Sequence, residues 1–126
     1  IIMLLGEKNC GKTTTLNLVY DCLNQQQAGI IEKKESINEM KDFECIIRYK
    51  SKKIAFFTMG DFAIRLIKAF EKYADKQCDV LVCACNTKLK LPHWHIKKHP
   101  NAIVKKTMPL CCYSNSIDTY KILQLL

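Results

Sequence analysis

Five apolar residues open the chain, Ile1-Ile2-Met3-Leu4-Leu5. An apolar run that does not alternate predicts a strand buried on both faces, the kind found inside a parallel sheet. From about Lys12 the period changes. Leu16, Val19, Tyr20 and Leu23 recur at helical spacing and predict a helix with a polar end at Gln25-Gln26-Gln27, capped by Gly29. Residues 30–42 are charged and predict a solvated connecting helix or loop. Residues 43–49 alternate, with Phe43, Cys45, Ile47 and Tyr49 on one face, and residues 53–59 contain the continuous run Ile54-Ala55-Phe56-Phe57. Joined by Lys50-Ser51-Lys52, they predict an antiparallel hairpin whose second strand lies in the parallel sheet. Gly60-Asp61 opens a helix to about Gln77, with Phe62, Leu66, Phe70 and Tyr73 as its buried stripe. Residues 79–85 predict another buried strand, 86–100 a basic loop bracketed by Pro92 and Pro100, and 102–107 a last strand. A final helix follows Ser114-Asn115-Ser116, with Asp118 or Thr119 in its first turn. No internal repeat is evident.

This order predicts an α/β fold. The expected form is a three-layer sandwich: a mostly parallel sheet carrying an antiparallel hairpin, with helices on both faces and right-handed crossovers. With 126 residues the chain is expected to be one domain over residues 1–126. It starts inside a strand and stops inside a helix, as a fragment trimmed from a longer protein would. In such sheets ligands sit at the carboxyl ends of the strands. Residues 6–13, 58–61 and 86–90 all fall at that edge and are expected to form one site.

The first of these segments reads Gly6-Glu7-Lys8-Asn9-Cys10-Gly11-Lys12-Thr13, a G-x-x-x-x-G-K-T motif between a strand and a helix. The two glycines allow unusual backbone conformations and a close approach to a ligand. Backbone N–H groups between them form a nest for an anion, and the opening of the helix adds its own unpaired N–H groups. In these positions the motif and its setting resemble the P-loop nucleoside triphosphatase superfamily. The resemblance implies an α/β fold with a parallel sheet and a Mg²⁺–nucleotide ligand held by residues 6–14. Lys12 would reach the β- and γ-phosphates, the Thr13 hydroxyl would bind Mg²⁺, and Thr14 stands ready for the α-phosphate. In that superfamily, segments such as residues 30–42 often serve as switches or substrate contacts.

A phosphate loop needs an acidic partner for the metal ion, because Mg²⁺ prefers hard oxygen ligands and keeps several waters. Asp61 follows the apolar run 54–57 in a place that resembles the Walker B position, and it is equally placed as a helix N-cap. Lys12 and Asp61 are thus the candidate catalytic residues, and Thr13 and Asp61 the candidate metal ligands. Asp61 is followed by Phe62 rather than Glu, so the resemblance leans to the kinase and GTPase branch and away from motor ATPases. Thr87-Lys88-Leu89-Lys90 approaches the guanine-reading [N/T]-K-x-D, but Lys90 cannot accept hydrogen bonds from guanine. ATP is therefore expected over GTP.

Composition adds less. Hydrophobic residues make up 48% and charged residues 25%, as in globular domains. No apolar run approaches the roughly 18 residues of a membrane span, and no signal pattern is visible. The eight cysteines read mostly as small buried hydrophobes of a cytoplasmic protein. Net charge is +8, which fits either a solvated basic surface or a polyanionic partner such as nucleic acid. Lys88, Lys90, His93, Trp94, His95, Lys97, Lys98, His99, Lys105 and Lys106 form a basic stretch, with Trp94 expected to anchor it to the core. His93, His95 and His99 with Cys83, Cys85, Cys111 and Cys112 lack the knuckle spacing of a zinc site. Arg48 and Arg65 are the two arginines, and neither lies in the basic stretch where a kinase lid would supply one. Phosphoryl transfer or hydrolysis, a nucleotide switch acting on a partner protein, and a nucleic-acid-associated ATPase remain open, as does a homo-oligomer lending an arginine in trans.

Overall fold

The computed structural model describes residues 1–37, 41–108 and 112–126. Among the described residues, six strands and four helices follow one another as β1 (Ile2–Gly6), α1 (Lys12–Gln25), β2 (Gly29–Ser36), β3 (Phe43–Tyr49), β4 (Lys52–Phe57), α2 (Ala63–Asp75), β5 (Val80–Asn86), α3 (Lys90–Ile96), β6 (Ala102–Lys105) and α4 (Cys112–Leu125). The strands form one mixed sheet in the order β2-β3-β4-β5-β1-β6. β4, β5, β1 and β6 run parallel, and β2-β3-β4 is antiparallel. The chain is α/β, as the pattern predicts, with the hairpin's second strand joined to the parallel part.

The hairpin turn explains its own register. Lys50 and Ser51 both have positive φ, 50° and 63°. That is the hand a two-residue hairpin turn needs to match strand twist. It sets Tyr49 opposite Lys52 and carries through to Glu44 opposite Phe57.

Side chains along the strands divide by the two-residue period. Ile2, Leu4, Phe43, Cys45, Ile47, Ile54, Phe56, Val82, Ala84 and Val104 share a buried cluster with Leu16, Val19, Tyr20 and Leu23 of α1 and Ile122 of α4. Met3, Leu5, Ile46, Ala55, Phe57, Leu81, Cys83 and Cys85 share another with Leu66, Ala69, Phe70 and Tyr73 of α2 and Ile96 of α3. Each buried Leu, Ile or Phe contributes about 1.5–3 kcal/mol by leaving water.

Four expectations fail in informative ways. Residues 30–42 were expected to connect elements as a helix or loop, yet Gly29–Ser36 is an edge strand, exposed at every residue. Charged side chains hid it, because an edge with no buried face has no apolar alternation to read. Residues 38–40 of that segment lie outside the described residues. Gly29 opens β2 instead of capping α1, and Gln27 takes the left-handed conformation after the helix, at φ 64°. The basic loop contains α3, with Pro92 at its third position, where a missing N–H costs nothing. α4 starts at Cys112, so Ser114-Asn115-Ser116 lies within it.

A buried ion pair ties α4 to the end of β6. The side chains of Lys106 and Asp118 are 2% and 0% exposed, with Lys106 Nζ 2.9 Å from Asp118 Oδ2. The Thr107 N–H also donates to Oδ2, at 2.8 Å, and the Thr107 hydroxyl donates to Oδ1 at 2.5 Å. Burial by itself pushes this carboxyl up. The two Thr107 bonds and the Lys106 ammonium outweigh it and hold the pKa below the ordinary 3.8. Asp118→Ala should cost about 3–5 kcal/mol in urea unfolding, because it strands the Lys106 charge. The folded pKa lies below the unfolded one, so the wild-type contribution is present above about pH 4 and is lost as pH falls further. Unfolding of Asp118→Ala should be correspondingly flatter across that acid range.

Candidate functional site

Three segments meet at the carboxyl ends of β1, β4 and β5. Residues 7–11 join β1 to α1. Gly11 is the N-cap of α1 with φ 86°, a left-handed conformation that favours glycine, and Asn9 is also left-handed at φ 59°. Alternating hands of this kind turn successive N–H groups to one side of a loop and make a concavity for an anion. Gly6 is needed for a different reason. Its φ is ordinary, but a Cβ there would strike Cys10 Sγ and stand 3.0 Å from Lys106 Cβ.

Lys12 folds back over this loop. Its Nζ donates to the Glu7 carbonyl at 2.6 Å and the Gly6 carbonyl at 3.1 Å, with Cys10 Sγ at 3.9 Å. The residue is 6% exposed, and among the described residues no carboxylate pairs with it. Thr13 donates its hydroxyl to Asp42 Oδ1 at 2.7 Å. Thr14 is exposed beside it on the cleft wall.

The second segment is fixed by a tight approach between β4's continuation and β5. A Cβ on Gly60 would lie 2.5 Å from the carbonyl carbon and oxygen of Ala84. The Gly60 carbonyl accepts from the Asn86 N–H at 2.9 Å. This contact sets Asp61 beside Asn86, whose Nδ2 donates to Asp61 Oδ1 at 3.2 Å. Asp61 is not the N-cap of α2; that position is Phe62, and no side chain caps the helix. Phe62 therefore leaves the predicted buried stripe. Its extended backbone precedes the first helical turn, and the ring is 57% exposed at the cleft.

The third segment completes the edge. Thr87 N–H donates to the Gly6 carbonyl at 3.2 Å, which ties the end of β5 to the end of β1. Asn86 Oδ1 accepts from the Lys88 N–H at 3.0 Å. Lys90 is exposed at the start of α3.

A cleft of about 500 Å³ is lined by Lys8, Asn9, Cys10, Gly11, Lys12, Thr13 and Thr14 of the first segment, by Thr58, Met59, Gly60, Asp61 and Phe62 of the second, and by Asp42; residues 86–90, expected in the same site, are not in its lining. Burial pushes Cys85 up to about 11, with the Lys12 cation pulling down and the Asp61 carboxylate adding to the rise. Gly6 and Glu7 stand behind the cleft, contributing the carbonyls that hold Lys12.

Asp42 is the residue that the pattern along the chain did not single out. It precedes β3, and Thr58 Oγ1 also donates to its Oδ1, at 3.0 Å. The signal was present in the hairpin. A two-residue turn at Lys50-Ser51 fixes the register, and running that register to the strand ends pairs Phe43 with Thr58, with Asp42 one residue further on.

The basic stretch does not stay together. Lys106 is withdrawn into its pair with Asp118. Trp94 is no core anchor: it is 56% exposed, with Lys98 Nζ 4.2 Å from the ring centroid. In α3 the buried residues are Pro92 and Ile96, one helical turn apart, which puts Trp94 on the opposite side. Arg65 reaches Met59 Sδ, at 3.0 Å. Cys10, Cys45, Cys83 and Cys85 are buried and Cys112 is exposed; Cys111 lies outside the described residues. Among the described residues, no three His, Cys, Asp or Glu side chains gather to hold a metal ion, and no helix is long and apolar enough to cross a membrane.

Comparison with protein-family models, with curated proteins and with solved structures gave no match.

Gly60→Ala should lower stability by about 1–3 kcal/mol, since its Cβ meets main chain that cannot swing aside. A urea midpoint reads the loss. A midpoint within error of wild type would show that β5 does not press on Gly60.

Proposed function

We propose that this chain binds a nucleoside triphosphate with Mg²⁺, ATP in preference to GTP, and uses the site for phosphoryl transfer or hydrolysis in the cytoplasm. The observation behind this reading is the Lys12 ammonium: buried at the cleft, held by two carbonyls and, among the described residues, by no carboxylate. A buried cation without a counter-charge is costly, and a bound polyphosphate supplies that charge. In this reading Lys12 meets the β- and γ-phosphates, and the loop N–H groups of residues 7–14 cradle the chain of phosphates. Thr13 offers its hydroxyl oxygen to Mg²⁺, and the carboxylates of Asp42 and Asp61 line the same cleft. The hydroxyl and carboxylate oxygens lining the cleft fit a hard oxygen-seeking ion. Bound there, Mg²⁺ would neutralise charge on the phosphoryl oxygens. Lys90 in place of an acidic residue disfavours guanine. The same reading takes α1 and α4 as one layer, the sheet as the second, and α2 and α3 as the third.

A second reading has its own support. Trp94 is exposed with a lysine over its ring, and exposed Lys88, Lys90, Lys97 and Lys98 surround it in sequence. An aromatic face among cations suits stacking on single-stranded nucleic acid, so the nucleotide site would then belong to a nucleic-acid-associated ATPase.

Calorimetry with Mg²⁺ should give ATP binding on the order of micromolar, weaker GTP binding, and a loss of roughly 10- to 100-fold in Lys12→Ala. No binding of either nucleotide by the wild type would overturn the main reading. For the second reading, anisotropy of a labelled oligonucleotide should show affinity falling steeply with added salt. Trp94→Ala should weaken it by roughly 5- to 100-fold. Equal affinity in wild type and variant would remove Trp94 from any such surface.

A further inference from the structure

We propose that Asp42, and not Asp61, is the carboxylate that holds the Mg²⁺ water shell and aims the Thr13 hydroxyl at the metal. The proposal rests on the nucleotide reading above and deepens it.

A threonine hydroxyl has one proton to donate and two lone pairs to offer. At Thr13 the proton is committed to Asp42 Oδ1, at 2.7 Å. The lone pairs are left for a cation. A hydroxyl free to rotate would have no such preference, so Asp42 fixes the polarity of the one side chain that the phosphate loop offers to a metal.

Asp42 is itself held. The same Oδ1 accepts from Thr58 Oγ1 at 3.0 Å, and Thr58 Oγ1 accepts from the Phe43 N–H at 2.9 Å. The Thr58 N–H donates back to the Phe43 carbonyl at 3.1 Å. The end of the β3–β4 ladder thus clamps the carboxylate from both strands. Antiparallel β3 begins where parallel β4 ends, so its first residues reach the ligand edge of the sheet.

Asp61 lacks these features. It is exposed, its Oδ1 is engaged by the Asn86 amide, and its place is set by Gly60 against β5. Both carboxylates line the cleft, but Asp42 is the one bonded to the metal-binding hydroxyl.

Calorimetric titration of ATP, in Mg²⁺ and separately in EDTA, tests the assignment on wild type, Asp42→Asn, Asp42→Glu and Asp61→Asn. Wild type should bind more tightly with Mg²⁺ than in EDTA. Asp42→Asn should lose most of that gain, by roughly 10- to 100-fold, as happens when a group supporting a metal ligand is removed. In EDTA the same variant should bind ATP at least as tightly as wild type, because a negative charge beside the phosphates is gone. A merely unfolded or loosened variant would weaken in both conditions. Asp42→Glu, which keeps a carboxylate, should recover part of the Mg²⁺ gain. An equal or larger loss in Asp61→Asn, or an Asp42→Asn variant that keeps the gain, would overturn the assignment and leave the nucleotide reading standing. Wild type that binds no ATP in either condition would overturn both.

Discussion

Burying an ammonium group costs several kcal/mol unless hydrogen bonds and a counter-charge replace its water. Among the described residues two lysines are buried, and the chain treats them differently. Lys106 has Asp118 at 2.9 Å, and that carboxylate is itself satisfied by Thr107. Its charge is closed within the fold and holds α4 in place. Lys12 has carbonyls instead. Carbonyl dipoles orient an ammonium but do not cancel it. The uncancelled charge faces a cleft, and the carboxyl edge of the sheet depends on how that charge is finally met.

The sheet order makes the edge possible. β5 lies between β1 and β4, so the loops after these strands are held by a shared neighbour rather than by each other. Asn86, at the end of β5, is the hinge pin of this arrangement. Its N–H binds the Gly60 carbonyl, its amide binds Asp61, and the next residue's N–H binds Gly6. Gly60 has no room for a side chain, so the approach is set by main chain. Positions fixed in this way do not wait on side-chain rotamers, which suits a site that must hold charge in place.

Much of this was legible along the chain, and the reasons differ by element. β1, β4, β5, α1 and the body of α2 declare themselves because each buries a face, and burial imprints a period. The turn from β1 into α1 was legible because few residue types tolerate its backbone, Gly11 above all. β2 was not legible. Its exposed run of Glu and Lys carries no burial signal, and only pairing with β3 makes it a strand. Asp42 was hidden for another reason: its partners Thr13 and Thr58 are 29 and 16 residues away, joined through antiparallel register rather than through any local motif. Trp94 was misplaced because a basic loop was expected where a short helix forms, and a helix sends positions 92 and 94 to opposite sides.

The placement of the arginines bears on what such a site can do. Stabilising a transferring phosphoryl group calls for cations around its equatorial oxygens, and a planar guanidinium meets them better than an ammonium. The described residues lining the cleft include Lys8 and Lys12 and no arginine. Arg65 is turned to the Met59 thioether, and Arg48 lies exposed on β3. In the nucleotide reading proposed above, the cleft would meet one end of a triphosphate with Lys8 and Lys12 and offer little beyond it. In that reading the geometry on its own would suit slow turnover. Fast transfer would need one more cation brought across the cleft mouth, by Arg65 releasing Met59 or by a second protein surface. Which of the two supplies it is the difference between a self-contained catalyst and a partner-gated one.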